Sequence, residues 1–155
     1  MPQNSSRRGF VQGLVAAGAA ADGLMLAQTR GSIKGFDHVA LPMQNTEAML
    51  TFYRSLGLQV IENANACSVY IGSQMINFHR PALWQSEKFT LRAPAARPPC
   101  GDLCFVWDGT AESAKAMLDR AGAQIVEGPV ARQGGQKKTA SSVYVRDPDG
   151  NLLNL

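Results

Sequence analysis

Apolar and polar residues begin to alternate regularly only after Ser32. Across 35–43, Val39 and Leu41 fall on one side of an extended chain and His38 and Ala40 on the other, which predicts a strand. Over 45–58, Ala48, Leu50, Phe52, Tyr53 and Leu56 recur near helical spacing. Asn45 or Thr46 can cap that helix and Gly57 can stop it. Three short runs, 59–67, 68–73 and 74–80, then read as strands separated by turn residues. The stretch 81–100 has no clear period and carries Pro81, Pro94, Pro98 and Pro99, so it reads as a linker. Beyond it the plan repeats. The run 101–109 puts Leu103, Phe105 and Trp107 on one face and Asp102, Cys104 and Val106 on the other. A helix follows, capped near Thr110 and stopped at Gly122, and then three strand pieces to Leu155.

The two halves match in detail. Ser55–Glu62 (SLGLQVIE) parallels Arg120–Glu127 (RAGAQIVE), and Ser68–Ile71 (SVYI) parallels Ser142–Val145 (SVYV). Ile76–Phe78 (INF) parallels Leu153–Leu155 (LNL). The pattern is a duplicated βαβββ unit, each copy too small to bury a stable core alone. An α+β domain is expected over 33–155. It comprises a first module at 33–80, the linker at 81–100 and a second module at 101–155, with a curved mixed sheet around a groove and the helices outside. Polar residues on the groove face of the strands are then the site candidates.

The first thirty residues differ from the rest. A polar, basic start leads into a Gly/Ala-rich apolar run too short to span a bilayer as a stable helix. Ser6-Arg7-Arg8-Gly9-Phe10 resembles a twin-arginine export signature, with Ala19-Ala20-Ala21 or Ala27 as a cleavage region. The expectation is a leader over 1–30 and a protein working in the periplasm or outside the cell. Net charge is +3, part of it from Arg7, Arg8, Arg30 and Lys34, and no basic face with interleaved aromatics argues for nucleic acid. An oxidising compartment permits one disulfide among Cys67, Cys100 and Cys104. Cys100 and Cys104 would stand ~13 Å apart on one extended strand, too far to bridge.

Residues 36–60 (FDHVALPMQNTEAMLTFYRSLGLQV), their parallel in the second half, and the closing RDPDGNLLNL resemble the vicinal oxygen chelate superfamily. That group includes glyoxalase I, bleomycin and fosfomycin resistance proteins and extradiol dioxygenases. GSQMINFHRP and the run 126–152 look most like its small virulence-protein branch. The resemblance implies a small-molecule ligand, a homodimer, and a single divalent metal (iron, manganese, zinc or nickel) held by the first and last strand of each half.

Those four positions are His38 and Asn77, Asp102 and Asn154. Two are amides, which are poor ligands for a transition ion. His79, two residues beyond Asn77 and on the same face, offers a rescue as third ligand or as proton-transfer base. His38, Asp102 and His79 would make a two-histidine, one-carboxylate set for lyase or dioxygenase chemistry. The alternative is a metal-free binding protein of the bleomycin-resistance type. Asn77, Asn154, Cys104 and Arg132 complete the expected substrate groove, Arg132 with Lys137 and Lys138 on or after a glycine-containing loop that can close over it. Asp147–Gly150 (DPDG) reads as a turn and not as a calcium loop.

Overall fold

The computed structural model describes residues 31–155, and the expected leader lies outside the described residues. Residues 34–155 form one compact unit. Its elements run β1 (His38–Pro42), α1 (Thr46–Ser55), β2 (Gln59–Glu62), β3 (Ala66–Ile71), β4 (Gln74–His79), α2 (Pro81–Trp84), β5 (Asp102–Cys104), α3 (Ala111–Arg120), β6 (Ile125–Gln133), β7 (Thr139–Arg146) and β8 (Leu152–Asn154). The strands make two four-stranded sheets, ordered β1-β4-β3-β2 and β5-β8-β7-β6. In each, the first strand pairs in parallel with the last while the other pairs are antiparallel. This is the expected α+β architecture of two βαβββ modules.

Period-2 alternation sorts each sheet into a buried and an open face. In the first sheet Leu41, Ile76, Phe78, Cys67 and Val69 are buried. They pack with Met49, Leu50 and Tyr53, the apolar stripe of α1, in one core that continues into Leu118 of α3 and Val143, Val145 and Leu153 of the second sheet. The Tyr53 and Phe78 rings lie 5.2 Å apart. A core shared across both halves accounts for the duplication: neither sheet covers its apolar face alone.

The helices stop where the sequence requires. Gly57 and Gly122 follow α1 and α3 with φ of 80° and 69°, a left-handed conformation that glycine enters without steric cost. At the start the helices differ. Thr110 caps α3 by accepting from the Ser113 N–H at 3.2 Å. Asn45 occupies the N-cap of α1 but makes no side-chain cap bond, so the expected cap bond is not made and the entry to the helix is anchored from outside. Asp149 from the other half accepts from the backbone N–H groups of Gln44 at 2.6 Å and Asn45 at 2.8 Å.

Two other readings of the sequence are corrected. The repeat SVYI/SVYV does not mark equivalent positions. Ser68 pairs across from Asn77, whereas Tyr144 pairs across from Asn154, so the motif is displaced by two residues between the halves. INF and LNL do correspond, since Cys67 faces Phe78 as Val143 bonds Leu155. And Arg132 lies within β6, not on a loop. The turn that follows spans 134–138, with Lys137 at φ 59°. β6 bulges between Ile125 and Val130. There Gly128 runs so close to β7 that a Cβ would collide with the Ser142 carbonyl oxygen.

Candidate functional site

The pairing registers place the candidates in rows across the open faces. On the first sheet one row runs His38, Met75, Tyr70, Gln59. The next runs Ala40, Asn77, Ser68, Ile61, and a third Pro42, His79, Ala66. His38, Asn77 and His79 therefore share a face, opposite Leu41, Ile76 and Phe78. His38 and His79 are four residues apart along it, ~13 Å between their rows. On the second sheet Asp102 pairs with Leu152, and Cys104, Asn154, Tyr144 and Glu127 form one row. Both repeated tyrosines, Tyr70 and Tyr144, thus take the open face.

The hydrogen bonding of the paired amides is not symmetric. Asn77 Oδ1 accepts from the Ser68 hydroxyl at 3.2 Å. Asn154 is only 9% exposed, and its Oδ1 is buried without a partner. Arg132 is engaged with Glu127 at 3.0 Å and stacks 5.8 Å from the centre of the Tyr144 ring, so it is part of the second sheet's surface network. Cys104 and Cys100 are exposed thiols, whereas Cys67 is buried in the core, and all three are unbridged. Burial pushes the Cys67 thiol above its usual value.

His38 Nδ1 sits 2.6 Å from Asp37 Oδ1, on an exposed strand end. The His79 imidazole makes no hydrogen bond among the described residues. The Phe89 ring meets it edge-on at 5.1 Å. Burial first, and the charge of His38 second, hold its imidazole below the usual histidine value.

A divalent ion needs about three good donors on one point. Among the described residues no three His, Cys, Asp or Glu side chains stand close enough to hold one. The expected set is not gathered. His38 and His79 lie at opposite ends of the first sheet's face, and Asp102 is exposed on an edge strand of the second sheet. The donor set in this chain does not fit the metal that the resemblance implies.

A cavity does exist, between the first sheet and the linker. It measures about 260 Å³ and is lined by Ala40, Pro42 and His79 from the first sheet, and by Trp84, Leu91, Arg92, Ala93 and Ala96. The linker is therefore also a roof. α2 starts at Pro81, where a missing N–H costs nothing. Trp84 is then fixed by its Nε1–H, which donates to the Met43 carbonyl at 2.8 Å. Arg92 is held beside it by Nη1–H bonds to the carbonyls of Ala93 and Pro94, at 3.3 and 2.9 Å. Trp84 and Arg92 were missed from sequence because the stretch has no period. Their one signal was a tryptophan and an arginine in a run otherwise rich in proline and alanine.

The second feature missed is the turn Asp147–Asn151. Asp147 is buried and accepts from the Tyr53 hydroxyl at 3.0 Å and from the Asn151 N–H and Nδ2 at 2.8 Å each. Burial, outweighing those bonds, holds its carboxyl above the usual carboxylate range. Asn151, fully buried, accepts through Oδ1 from the N–H groups of Cys100 and Gly101.

The model of the Glyoxalase/Bleomycin resistance protein/Dioxygenase superfamily matches residues 35–155. The chain belongs to this superfamily. It is 34% identical over 129 residues to the glyoxalase domain-containing protein RDO1 of Mycosarcoma maydis, covering 83% of this chain and 70% of that one. It is 33% identical over 125 residues to virulence protein STM3117 of Salmonella typhimurium, covering 79% and 83%. The crystal structure of STM3117 superposes with a TM-score of 0.70 over 80% of this chain and 96% of that one, at 32% identity. An integron cassette protein of V. cholerae gives 0.70 over 81% and 95%, at 31% identity. The virulence-protein branch expected from the sequence is thus among its relatives. A lactoylglutathione lyase of Agrobacterium tumefaciens, at 20% identity and a TM-score of 0.60 over 79% of this chain and 92% of that one, shares the fold.

Proposed function

We propose that this protein binds a small molecule without a metal, in the manner of the resistance proteins of its superfamily, and that the ligand occupies the roofed cavity over the first sheet. The observation that carries the reading is the pairing of that cavity with a donor set too dispersed to hold an ion. The cavity walls are mostly apolar, with two polar side chains, His79 and Arg92, to orient what enters. His79 and the face around it then bind and position; they do not ligate.

The test combines metal content with ligand stabilisation. The purified chain is incubated with iron, manganese, zinc and nickel, desalted, and assayed for bound metal; none is expected at stoichiometric level. A binder is stabilised by its ligand, by about 2.7 kcal/mol at a hundredfold excess over Kd, so a thermal-shift screen is expected to find compounds whose effect Trp84→Ala removes. Stoichiometric metal, lost together in His38→Ala and Asp102→Ala, overturns the reading in favour of a metal-dependent lyase or dioxygenase.

We also propose export. Arg7-Arg8 supports a twin-arginine leader, and a reporter fused behind residues 1–40 is expected outside the cytoplasm, and inside it when both arginines become lysine. Homodimerisation, implied by the resemblance, is read from sedimentation of the chain without residues 1–30.

A further inference from the structure

Arg92 is a cation with no anion. Among the described residues the arginine salt bridges engage Arg54 and Arg80 with Glu62, and Arg132 with Glu127. Arg92 meets only two neutral carbonyls, both through Nη1. Its Nε is buried and has no partner. Nη2 makes no bond and is not buried, so it is the guanidinium nitrogen that a carboxylate oxygen entering the cavity can reach. A guanidinium on a cavity wall with no carboxylate of the chain in ion-pair reach points to an anion that comes from outside.

The rest of the cavity limits that partner. Ala40, Ala93 and Ala96 leave room instead of filling it, and Trp84 is held rigid by its bond to Met43. Leu91 is 85% exposed, an apolar wall awaiting cover. One cation is present, which matches a single negative charge and not two. Beyond Arg92 only His79 offers a polar atom, so a polyhydroxylated body would lose more hydrogen bonds to water than it gained. About 260 Å³ admits a ring with small substituents.

We infer that the ligand is a small monocarboxylate with a flat apolar body, its carboxylate at Nη2 of Arg92 and its body against Trp84. The inference rests on the proposed binding role of the cavity and names the chemistry of its occupant.

Trp84 reports on it directly. The chain has two tryptophans, so a Trp107→Phe background leaves Trp84 as the sole indole. Benzoate and its neutral isostere benzamide are titrated against the emission of that variant. Benzoate is expected to change the emission saturably and benzamide to bind about 10- to 100-fold more weakly, as for a lost charge-assisted pair. Arg92→Gln is expected to weaken benzoate by the same factor and leave benzamide unchanged, with Arg92→Lys, which keeps the charge but not the planar donor group, in between. If benzamide matches benzoate, or Arg92→Gln leaves benzoate unaffected, the carboxylate assignment falls while the cavity stands as a binding site. If neither compound changes the emission saturably, the binding role and the ligand class fall together.

Discussion

Between β3 and β4 the chain reverses over Gly72 and Ser73 alone; between β7 and β8 it takes the five residues Asp147–Asn151. The short turn touches nothing beyond its own hairpin that the hydrogen bonds record. The long one joins the halves. Its Asp147 holds Tyr53, its Asp149 holds the start of α1, and its Asn151 holds the end of the linker. The open faces differ in the opposite sense. The first sheet's face is roofed by Trp84 and Leu91–Ala96 and encloses a cavity, while the second carries its own surface network of Arg132, Glu127 and Tyr144. Duplication supplied two similar frames, and the differences fell on turns and connections. One half's turn became the fastening, and the connection between the halves became the wall of a site.

The sharpest way to break that comparison is Asn151→Ala. It strips the acceptor from two backbone N–H groups and a donor from a buried carboxylate, and unsatisfied buried groups cost about 1–3 kcal/mol each. A loss of about 3 kcal/mol in urea unfolding is expected. Ser73→Ala, in the first half's turn, is expected within about 0.5 kcal/mol of wild type. Equal losses at the two positions would remove the claim that the second turn is the fastening.

This division also marks how far the sequence could be read. The elements and the duplication were legible because strand and helix periods survive in Val39/Leu41 and in Ala48 through Leu56. The side of each sheet that faces out followed from the same alternation. What failed were the features that depend on chain meeting chain. Asn45 looked like a cap, yet its side chain and backbone N–H turn to Asp149, more than a hundred residues away. His38, Asp102 and His79 looked like a ligand set, yet facing outward is not the same as converging. The repeated SVY misled, because a three-residue match carries no register. Arg92 had no period to betray it, and only the folded roof gives it a position.

The helix starts provide a smaller test. Thr110→Ala removes a local cap and is expected to cost about 1 kcal/mol. Asp149→Ala removes a carboxylate that accepts two backbone N–H bonds and one from Asn45 Nδ2, at the positive end of α1, and is expected to cost about 2 kcal/mol. The two also separate by mechanism. Added salt is expected to narrow the gap, since only Asp149 acts partly through charge at an exposed site. A cost at Asp149 below that at Thr110 would show that α1 is held by its packed stripe, through Met49, Leu50 and Tyr53, without help from the other half.

The fastening carries a pH signature of its own. Burial raises the Asp147 carboxyl above its usual 3.8. The folded chain then holds that proton more tightly than the unfolded one. The resulting stabilisation is whole below about pH 3.8 and is lost as pH rises through the folded value. Subtracting the unfolding free energies of Asp147→Asn from those of wild type across pH 3 to 7 is expected to reveal this downward slope. A difference that rises with pH would mean that the hydrogen bonds from Tyr53 and Asn151 outweigh the burial.

His79 gives the opposite sign and the smallest effect, and it reports on the roof. Its imidazole is held below the usual 6.5 by burial first and by His38 second. Below about pH 6.5 the unfolded chain therefore takes up a proton that the folded chain resists, so His79 contributes a stability that declines on acidification. His79→Gln is expected to flatten the slope between pH 6.5 and 5, and Cys104→Ala, on the second sheet's face, to leave it alone. The roof can also be removed without touching the histidine. Phe89 packs edge-on against the His79 ring, so Phe89→Ala admits water to the imidazole and is expected to move its NMR titration midpoint up toward 6.5. A midpoint that does not move would assign the shift to His38 alone. The covered face would then be no drier than its bare counterpart in the second half, and the contrast between the two halves would rest on the fastening turn only.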